Sequence, residues 1–166
     1  KYVDDVFTVS NGKLCHELIN AYQDDGIILE PAGALSLGVL DELSRKYDLS
    51  DQTIVCILSG GNNDMSRYDE IIELNSQYLS LRHYFILEFS QSPGQLKLFI
   101  NNVLGPNDDI IRFEYIKKTN KNYGNVLIGL ELNKKENLEK IIDNLNQTKF
   151  TYKKIDAQDL IYDYLI

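Results

Sequence analysis

Cysteine is scarce in this chain: the 166 residues contain only Cys15 and Cys56, which lie far apart. Neither has a partner at the spacing of a zinc site, so the pattern favours buried thiols in a reducing cytoplasm. Long apolar runs are also lacking, since the longest is far too short to cross a bilayer. Basic residues are few, with 17 Lys and Arg against 25 Asp and Glu, a net charge of −8. Nucleic acid and anionic membranes are therefore poor candidate partners.

Histidine is equally rare, which limits the catalytic chemistry that the residues themselves support. His16 and His83 have no acidic, cysteine or histidine neighbours at metal-ligand spacing, so no metal site is predicted. The same two contexts give no basis for a Ser-His-Asp arrangement. The 11 tyrosines fall mostly on apolar faces, which favours a place in the core.

The charge is unevenly distributed along the chain. Residues 1–80 hold 5 basic and 14 acidic groups, whereas residues 81–166 hold 12 and 11. This asymmetry predicts two units joined near residue 80. The composition, 43% hydrophobic and 25% charged, is typical of a globular protein. The opening KYVDDV resembles the interior of a folded domain, so we expect this chain to be a fragment of a longer protein.

The first half alternates predicted strands and helices. Helices are expected over 11–22, capped by Ser10, over 32–46 and over 67–78. A short strand is expected at 6–9. The apolar run at 53–58 is typical of a strand that is buried on both faces, which predicts a parallel sheet.

The second half predicts the order β-α-β-β-α-β followed by a last helix that Asp156 caps. The strands are expected at 83–89, 110–118, 125–132 and 150–155, with a polar turn at 119–122. Ser92 and Asn133 are predicted to cap the two intervening helices. This order is that of the ferredoxin-like split βαβ, an α+β fold that many unrelated functions share.

The sequence SGGN at 59–62 ends the apolar run at 53–58 and precedes a helix. Glycines at such a turn allow a ligand to approach closely, and a helix N-terminus attracts anions. No lysine follows, which excludes a P-loop. A plain strand-to-helix turn is the alternative, and the residues alone favour it slightly.

Two pairs of motifs carry a resemblance to a known family. EPAGA at 30–34 with SGGN at 59–62 resembles the fold-type II pyridoxal-phosphate enzymes, above all the threonine dehydratases, with serine racemase a near relation. SPGQLKLFINNVLG at 92–105 and RFEY at 112–115 resemble their ACT-like regulatory domain. The resemblance implies that residues 1–80 are the carboxyl-terminal portion of a catalytic domain and residues 81–166 are the ACT-like domain.

The resemblance also implies a role for the glycine-rich turn. In the family, the serine at the Ser59 position hydrogen-bonds the pyridine nitrogen of pyridoxal 5'-phosphate, and Gly60 would let the loop pass under the ring. A hydroxyl is too weak an acid to protonate that ring fully, which favours the lyase reaction, loss of water from L-threonine to give 2-oxobutanoate and ammonia. The Schiff-base lysine and the phosphate loop belong to sequence upstream of Lys1. We therefore expect the chain alone to be inactive.

The ACT-like half is expected to bind an amino-acid effector. By resemblance, L-isoleucine would inhibit the parent enzyme and L-valine would oppose it, in the branched-chain pathway. The turn before the first helix offers backbone N–H groups for a carboxylate, at Ser92, Gly94 and Gln95.

Aromatic and amide side chains would complete that effector site. Phe113 and Tyr115 could wall the pocket, with Asn125 as a polar contact; core packing is an equal alternative for Phe113. The family forms homo-oligomers, so a dimer or tetramer is expected.

Three other interpretations stay open. A stand-alone amino-acid sensor would keep a vestigial catalytic end, and a ferredoxin-like dimerisation module would bind no ligand. A serine/threonine dehydratase or racemase would normally lack the half after residue 81.

Overall fold

The computed structural model of the chain describes residues 2–62, 64–117, 121–148, 150–156 and 159–165. The chain divides into two compact units, Lys1–Tyr78 and Leu79–Ile166. No helix among the described residues is both long and apolar enough to span a membrane. Each unit has its own core and is taken in turn.

The first unit is helical. Its helices are α1 (Asn11–Asp25), α2 (Leu35–Gly38), α3 (Leu40–Lys46) and α4 (Tyr68–Tyr78), with 3₁₀ turns at Pro31–Ala34 and Met65–Arg67. Ser10 caps α1 as predicted, because its side chain accepts a hydrogen bond from the Lys13 backbone N–H. The helix predicted at 32–46 is instead broken into a 3₁₀ turn and two short helices that meet at Val39.

The core of the first unit lies where α1 meets α4. Its buried residues are Cys15, Leu18, Ala21, Leu29, Ala34 and Ile71. Burial raises the pKa of the Cys15 thiol, which keeps it protonated and unreactive. Cys56 is half-buried and its thiol donates to the Ser36 carbonyl. Both cysteines are free.

The strands predicted at 6–9 and 53–58 do not form in the described residues of the first unit. In the 53–58 segment Val55 and Ile57 are largely in solvent, 81% and 79% exposed, whereas Leu58 packs against the core. A strand needs hydrogen bonds to a neighbouring strand, whereas a helix makes its own. The prediction of a parallel sheet over these residues is therefore wrong for this structure.

A carboxylate near the start of the chain supports a prediction about pH. Hydrogen bonds from Lys46 and then from Tyr47 lower the pKa of Asp5 from 3.8 to about 2. A lowered folded-state pKa stabilises the ionised form, so this contribution is present above pH 3.8 and is lost as the pH falls through about 2. An NMR titration of the Asp5 carboxyl carbon should give a midpoint near 2. In the Lys46→Gln variant the midpoint should rise toward 3.8; an unmoved midpoint would contradict the assignment.

The second unit is a four-stranded antiparallel sheet with helices on one face. Its elements are β1 (Arg82–Ser90), α5 (Gln95–Val103), β2 (Asp109–Tyr115), β3 (Tyr123–Glu131), α6 (Asn137–Thr148) and β4 (Thr151–Ile155), followed by a 3₁₀ turn at Tyr162–Tyr164. The strand order is β2-β3-β1-β4. This is the split βαβ order, and the predicted α+β class is confirmed.

Alternate residues of the central strands form the core of the second unit. Phe85, Leu87 and Phe89 of β1 face the helices and are 1% exposed. The other core residues are Phe99, Val103, Val126, Ile128, Leu130, Leu132, Ile141, Leu145 and Phe150. The ring of Phe89 packs against those of Phe99, Tyr115 and Phe150, with centroids 5.3–6.1 Å apart.

Two predicted helix caps in the second unit are wrong. Gly94, not Ser92, is the N-cap of α5, and no side chain caps it. α6 begins at Asn137, four residues after Asn133, so Asn133 does not cap it; the Asn133 backbone N–H donates to Asp108.

The remaining predicted elements fall partly outside the described residues. Residues 119 and 120 of the predicted turn lie outside them, as do residues 157 and 158 of the last predicted helix. Beyond these, the end of the chain forms turns and the 3₁₀ turn at Tyr162–Tyr164.

Candidate functional site

The sheet face opposite the helices carries a mixed set of apolar and polar side chains. Residues directly opposite each other on paired strands point to the same face. Ile86 of β1 pairs with Leu127 of β3, which in turn pairs with Glu114 of β2. In the neighbouring row, Glu88 pairs with Asn125. We name this surface the open face.

Part of the open face forms a groove of about 670 Å³. Its apolar lining comes from Ile86, Ile116, Leu127 and Ile161. Its polar and remaining lining comes from Glu88, Glu114, Lys121, Asn122, Tyr123, Gly124 and Asn125. An apolar surface with a few polar groups at its margin is typical of a small-molecule site, and this volume is in the usual range.

The residues after β4 cover the part of the open face beside the groove. Leu165 is buried against Tyr84 and Ile155. Tyr162 packs edge-on against Tyr84, with ring centroids 6.3 Å apart. The segment 159–165 therefore closes one end of the groove, where it contributes Ile161.

Polar contacts hold the segment 159–165 on the sheet. Arg112 Nη1 donates to the carbonyl oxygens of Leu165, at 3.2 Å, and of Tyr164, at 3.5 Å. Lys153 Nζ donates to Asp159 at 2.5 Å, and this hydrogen bond lowers the pKa of the Asp159 carboxyl. The same Arg112 donates from Nε to Glu114 at 2.7 Å, which links the segment to the wall of the groove.

The charges of the groove are only partly paired. Glu114 forms an ion pair with Arg112. In the part of the chain that the structure describes, neither Glu88 nor Lys121 forms an ion pair. The groove therefore presents one acidic and one basic side chain, neither in an ion pair among the described residues, beside its apolar lining.

In the first unit, the motifs EPAGA at 30–34 and SGGN at 59–62 contact each other. The Glu30 backbone N–H donates to the Gly60 carbonyl at 2.6 Å, and Gly60 has φ +76°, a conformation that glycine adopts without strain. A Cβ on Gly33 would lie 1.6 Å from the Ser59 carbonyl oxygen. The absence of that Cβ lets EPAGA and SGGN pack together, and the Ser59 side chain is left exposed.

The histidines are held by amide and carbonyl groups. His16 Nδ1 lies 2.9 Å from Asn75 Oδ1, and its Nε2 lies 3.1 Å from Asn20 Nδ2. His83 Nε2 lies 2.9 Å from the Ser80 carbonyl oxygen, and burial lowers the pKa of its ring. Among the described residues, no group of three or more His, Cys, Asp or Glu side chains could hold a metal ion.

Residues 73–165 match a family model described as the C-terminal regulatory domain of threonine dehydratase. The chain belongs to this family. The resemblance that the sequence motifs indicated is thus confirmed. The match begins within α4 and includes all four strands.

Curated relatives extend the similarity over the first unit. The chain is 45% identical over 166 residues to "L-threonine dehydratase biosynthetic IlvA" of Halalkalibacterium halodurans, which covers 100% of this chain and 40% of the relative. Proteins of the same name from Mycobacterium tuberculosis H37Rv and Bacillus subtilis are 42% and 41% identical, over 96% and 99% of this chain. They are matched over 36% and 38% of their own length, so the chain spans about two fifths of these relatives.

The regulatory domain does not bring all the predicted effector residues together. Phe113 pairs with Ile128 and so lies on the helix side of the sheet, as does Tyr115, whose ring packs on Phe89. Asn125 lies on the open face, opposite Glu88.

The predicted carboxylate-binding turn lies between β1 and α5. Ser92 and Gly94 are exposed there, and Gln95 is half-buried. Gln95 Nε2 donates weakly to Ser92 Oγ at 3.5 Å.

Of the residues that line the groove on the open face, sequence reasoning named only Asn125 and missed the others. The members of the groove come from three strands and the terminal segment, and their proximity depends on strand register. One signal was available: Glu88 interrupts the apolar strand HYFILEF, where a charged residue on a central strand indicates an exposed or functional face.

Proposed function

We propose that the chain is the regulatory, carboxyl-terminal portion of a biosynthetic L-threonine dehydratase. The parent enzyme is a threonine ammonia-lyase that converts L-threonine to 2-oxobutanoate and ammonia. Residues 81–166 sense L-isoleucine and L-valine allosterically, and residues 1–80 complete the catalytic domain. Two matches carry the proposal. Residues 73–165 match the model of the regulatory domain, and all 166 residues match a biosynthetic L-threonine dehydratase.

Pyridoxal 5'-phosphate is the cofactor of the proposed parent, and it supplies an electron sink for the bond changes at the substrate Cα. The exposed Ser59 hydroxyl and the close packing around Gly60 fit a contact with the pyridine nitrogen. A hydroxyl can donate a hydrogen bond there but cannot hold the nitrogen protonated at neutral pH.

The chain by itself is proposed to lack dehydratase activity. Lys13 is paired with Glu17 at 2.7 Å and with Asp41 at 2.8 Å, which keeps its amine charged and unavailable as a nucleophile. The relatives are more than twice as long as this chain, and the lysine that binds the cofactor is expected in their remaining length.

Calorimetric titration of the chain with L-isoleucine, L-valine and L-threonine tests the regulatory function. We expect saturable binding of isoleucine that valine displaces. Valine lacks one methylene, which is worth about 1–3 kcal/mol in an apolar pocket, so it should bind roughly 10–200-fold more weakly. Threonine should give no saturable heat. Absence of binding by all three amino acids would contradict the sensor function and favour a module that only assembles subunits.

A further inference from the structure

A left-handed turn connects α4 to β1. Tyr78 is the last residue of α4 and of the first unit, and Leu79 is the first residue of the second unit. Ser80 follows with φ +57°, a backbone conformation that is uncommon for a residue with a Cβ. Such a conformation costs free energy and persists only where neighbouring contacts hold it. Residues 79–81, which we name the connecting turn, therefore need contacts that fix them.

Two hydrogen bonds within the second unit fix the connecting turn. The Leu132 backbone N–H donates to the Leu81 carbonyl at 2.8 Å. His83 Nε2 lies 2.9 Å from the Ser80 carbonyl oxygen. A carbonyl oxygen only accepts, so Nε2 carries the proton and donates, and Nδ1 of the neutral ring is unprotonated. The His83 side chain thus holds the residue whose backbone is left-handed.

We propose that His83 is a pH-sensitive latch on the connecting turn. The neutral ring is half-buried and closes the turn through its hydrogen bond to Ser80, whereas the imidazolium moves toward water and releases the turn. Both cysteines lie in the first unit and are free, so the main chain at this turn is the covalent connection between the units. Release of the latch gives that connection more conformational freedom. The inference goes beyond the proposed function and does not depend on effector binding.

Burial and the surrounding charges together oppose protonation of the ring. Burial lowers the pKa of His83 from its ordinary value of 6.5, and Lys154 lowers it further. The hydrogen bond to Ser80 and the Asp156 carboxylate act in the opposite direction. Lys154 Nζ donates to Asp156 at 2.9 Å, so these two charges largely offset each other beside the ring. The cost of burying an imidazolium therefore dominates.

The lowered pKa sets the direction of the pH response. In water the released ring regains its ordinary pKa of 6.5, so protonation favours the released state. The contribution of the latch is fully present above pH 6.5 and is lost as the pH falls from there through the lower pKa of the latched ring. On the strands, His83 stands opposite Leu130, and the next pair, Arg82 and Glu131, points to the other face of the sheet.

Hydrogen exchange of the Leu132 N–H, which donates to Leu81, tests the latch. Its protection, corrected for the intrinsic pH dependence of exchange, should be lower at about pH 5.5 than at about pH 7.5. His83→Gln keeps an N–H donor but does not titrate, so protection in this variant should be the same at both pH values. His83→Leu removes the donor and should lower protection roughly 2–10-fold already at about pH 7.5, the usual effect of one hydrogen bond.

Two references separate the latch from general effects of pH. The amides of residues 126–130 in β3 exchange when the whole second unit opens, so they should not lose protection by the same factor as Leu132. His16→Gln removes the histidine of the first unit and should leave the pH response of Leu132 intact. Equal protection of Leu132 at both pH values in the unchanged chain, or a response that persists in His83→Gln, would overturn the latch. An equal loss in residues 126–130 would overturn it as well.

Discussion

Replacing Phe99 with alanine is expected to destabilise the second unit by about 3–5 kcal/mol, the usual cost of removing a buried aromatic ring. Phe99 is 1% exposed and lies between the sheet and α6. Its ring packs on Phe89 and Phe150, with centroids 6.0 and 6.1 Å away. Alanine is a better helix former than phenylalanine, but that gain is below about 1 kcal/mol, so the lost packing dominates.

Hydrogen exchange of β1 and β3 measures the free energy of unfolding of the second unit alone, because exchange in the central strands requires that whole unit to open. Leu98→Ala is the matched control: Leu98 is the neighbouring residue on α5 and is 41% exposed. We expect the control to lose clearly less than Phe99→Ala, since 41% of Leu98 is already exposed to water. Equal losses in the two variants would refute the assignment of Phe99 to the core.

Replacing Gly33 with alanine should displace the loop that carries Ser59. The new Cβ would lie 1.6 Å from the Ser59 carbonyl oxygen and 2.7 Å from its carbonyl carbon. These are backbone atoms, so no side-chain rotation relieves the overlap. Alanine gains up to about 1 kcal/mol of helix propensity at this 3₁₀ turn, but overpacking costs about 1–3 kcal/mol or more and dominates.

Gly61→Ala separates this effect from the general consequence of adding a methyl group. The nearest atom to a Cβ at Gly61 is the Ile28 carbonyl oxygen, at 4.0 Å, which is an ordinary contact. Hydrogen exchange of the Glu30 N–H, which donates to the Gly60 carbonyl, should become faster in Gly33→Ala and stay unchanged in Gly61→Ala. Similar exchange in both variants would mean that the EPAGA and SGGN motifs do not pack together.

The second unit was largely predictable because its signals are local. The apolar run of β1 and the turn residues around α5 identify those elements without knowledge of the fold. The helix starts were less predictable. Asn133 and Ser92 have the right chemistry for caps, but α6 begins four residues after Asn133, and Gly94 takes the capping position before α5.

The first unit shows the limit of apolar patterning. Val55 and Ile57 belong to a run that has every local property of a buried strand, yet they are exposed and unpaired with another strand in the described residues. Helices α1 and α4 form as predicted because their hydrogen bonds lie within each helix.

The groove was harder to predict than either unit. It depends on which residues of β1, β2 and β3 stand opposite one another. A shift by one residue would turn Glu88 toward the helices and Phe89 toward the groove. The single chain gives no direct measure of that register, although the isolated charge at Glu88 indicates which face is exposed.

The strand order has a consequence for the folding of the nascent chain. β1 lies at the centre of the sheet, but its first neighbour, β3, follows much later: Arg82 pairs with Glu131, 49 residues on. At about 5–20 residues per second, synthesis leaves this apolar segment without its partner for roughly 2–10 s. β4 is made later still. The second unit therefore depends on long-range loop closure, which slows folding and extends the time in which β1 is open to aggregation.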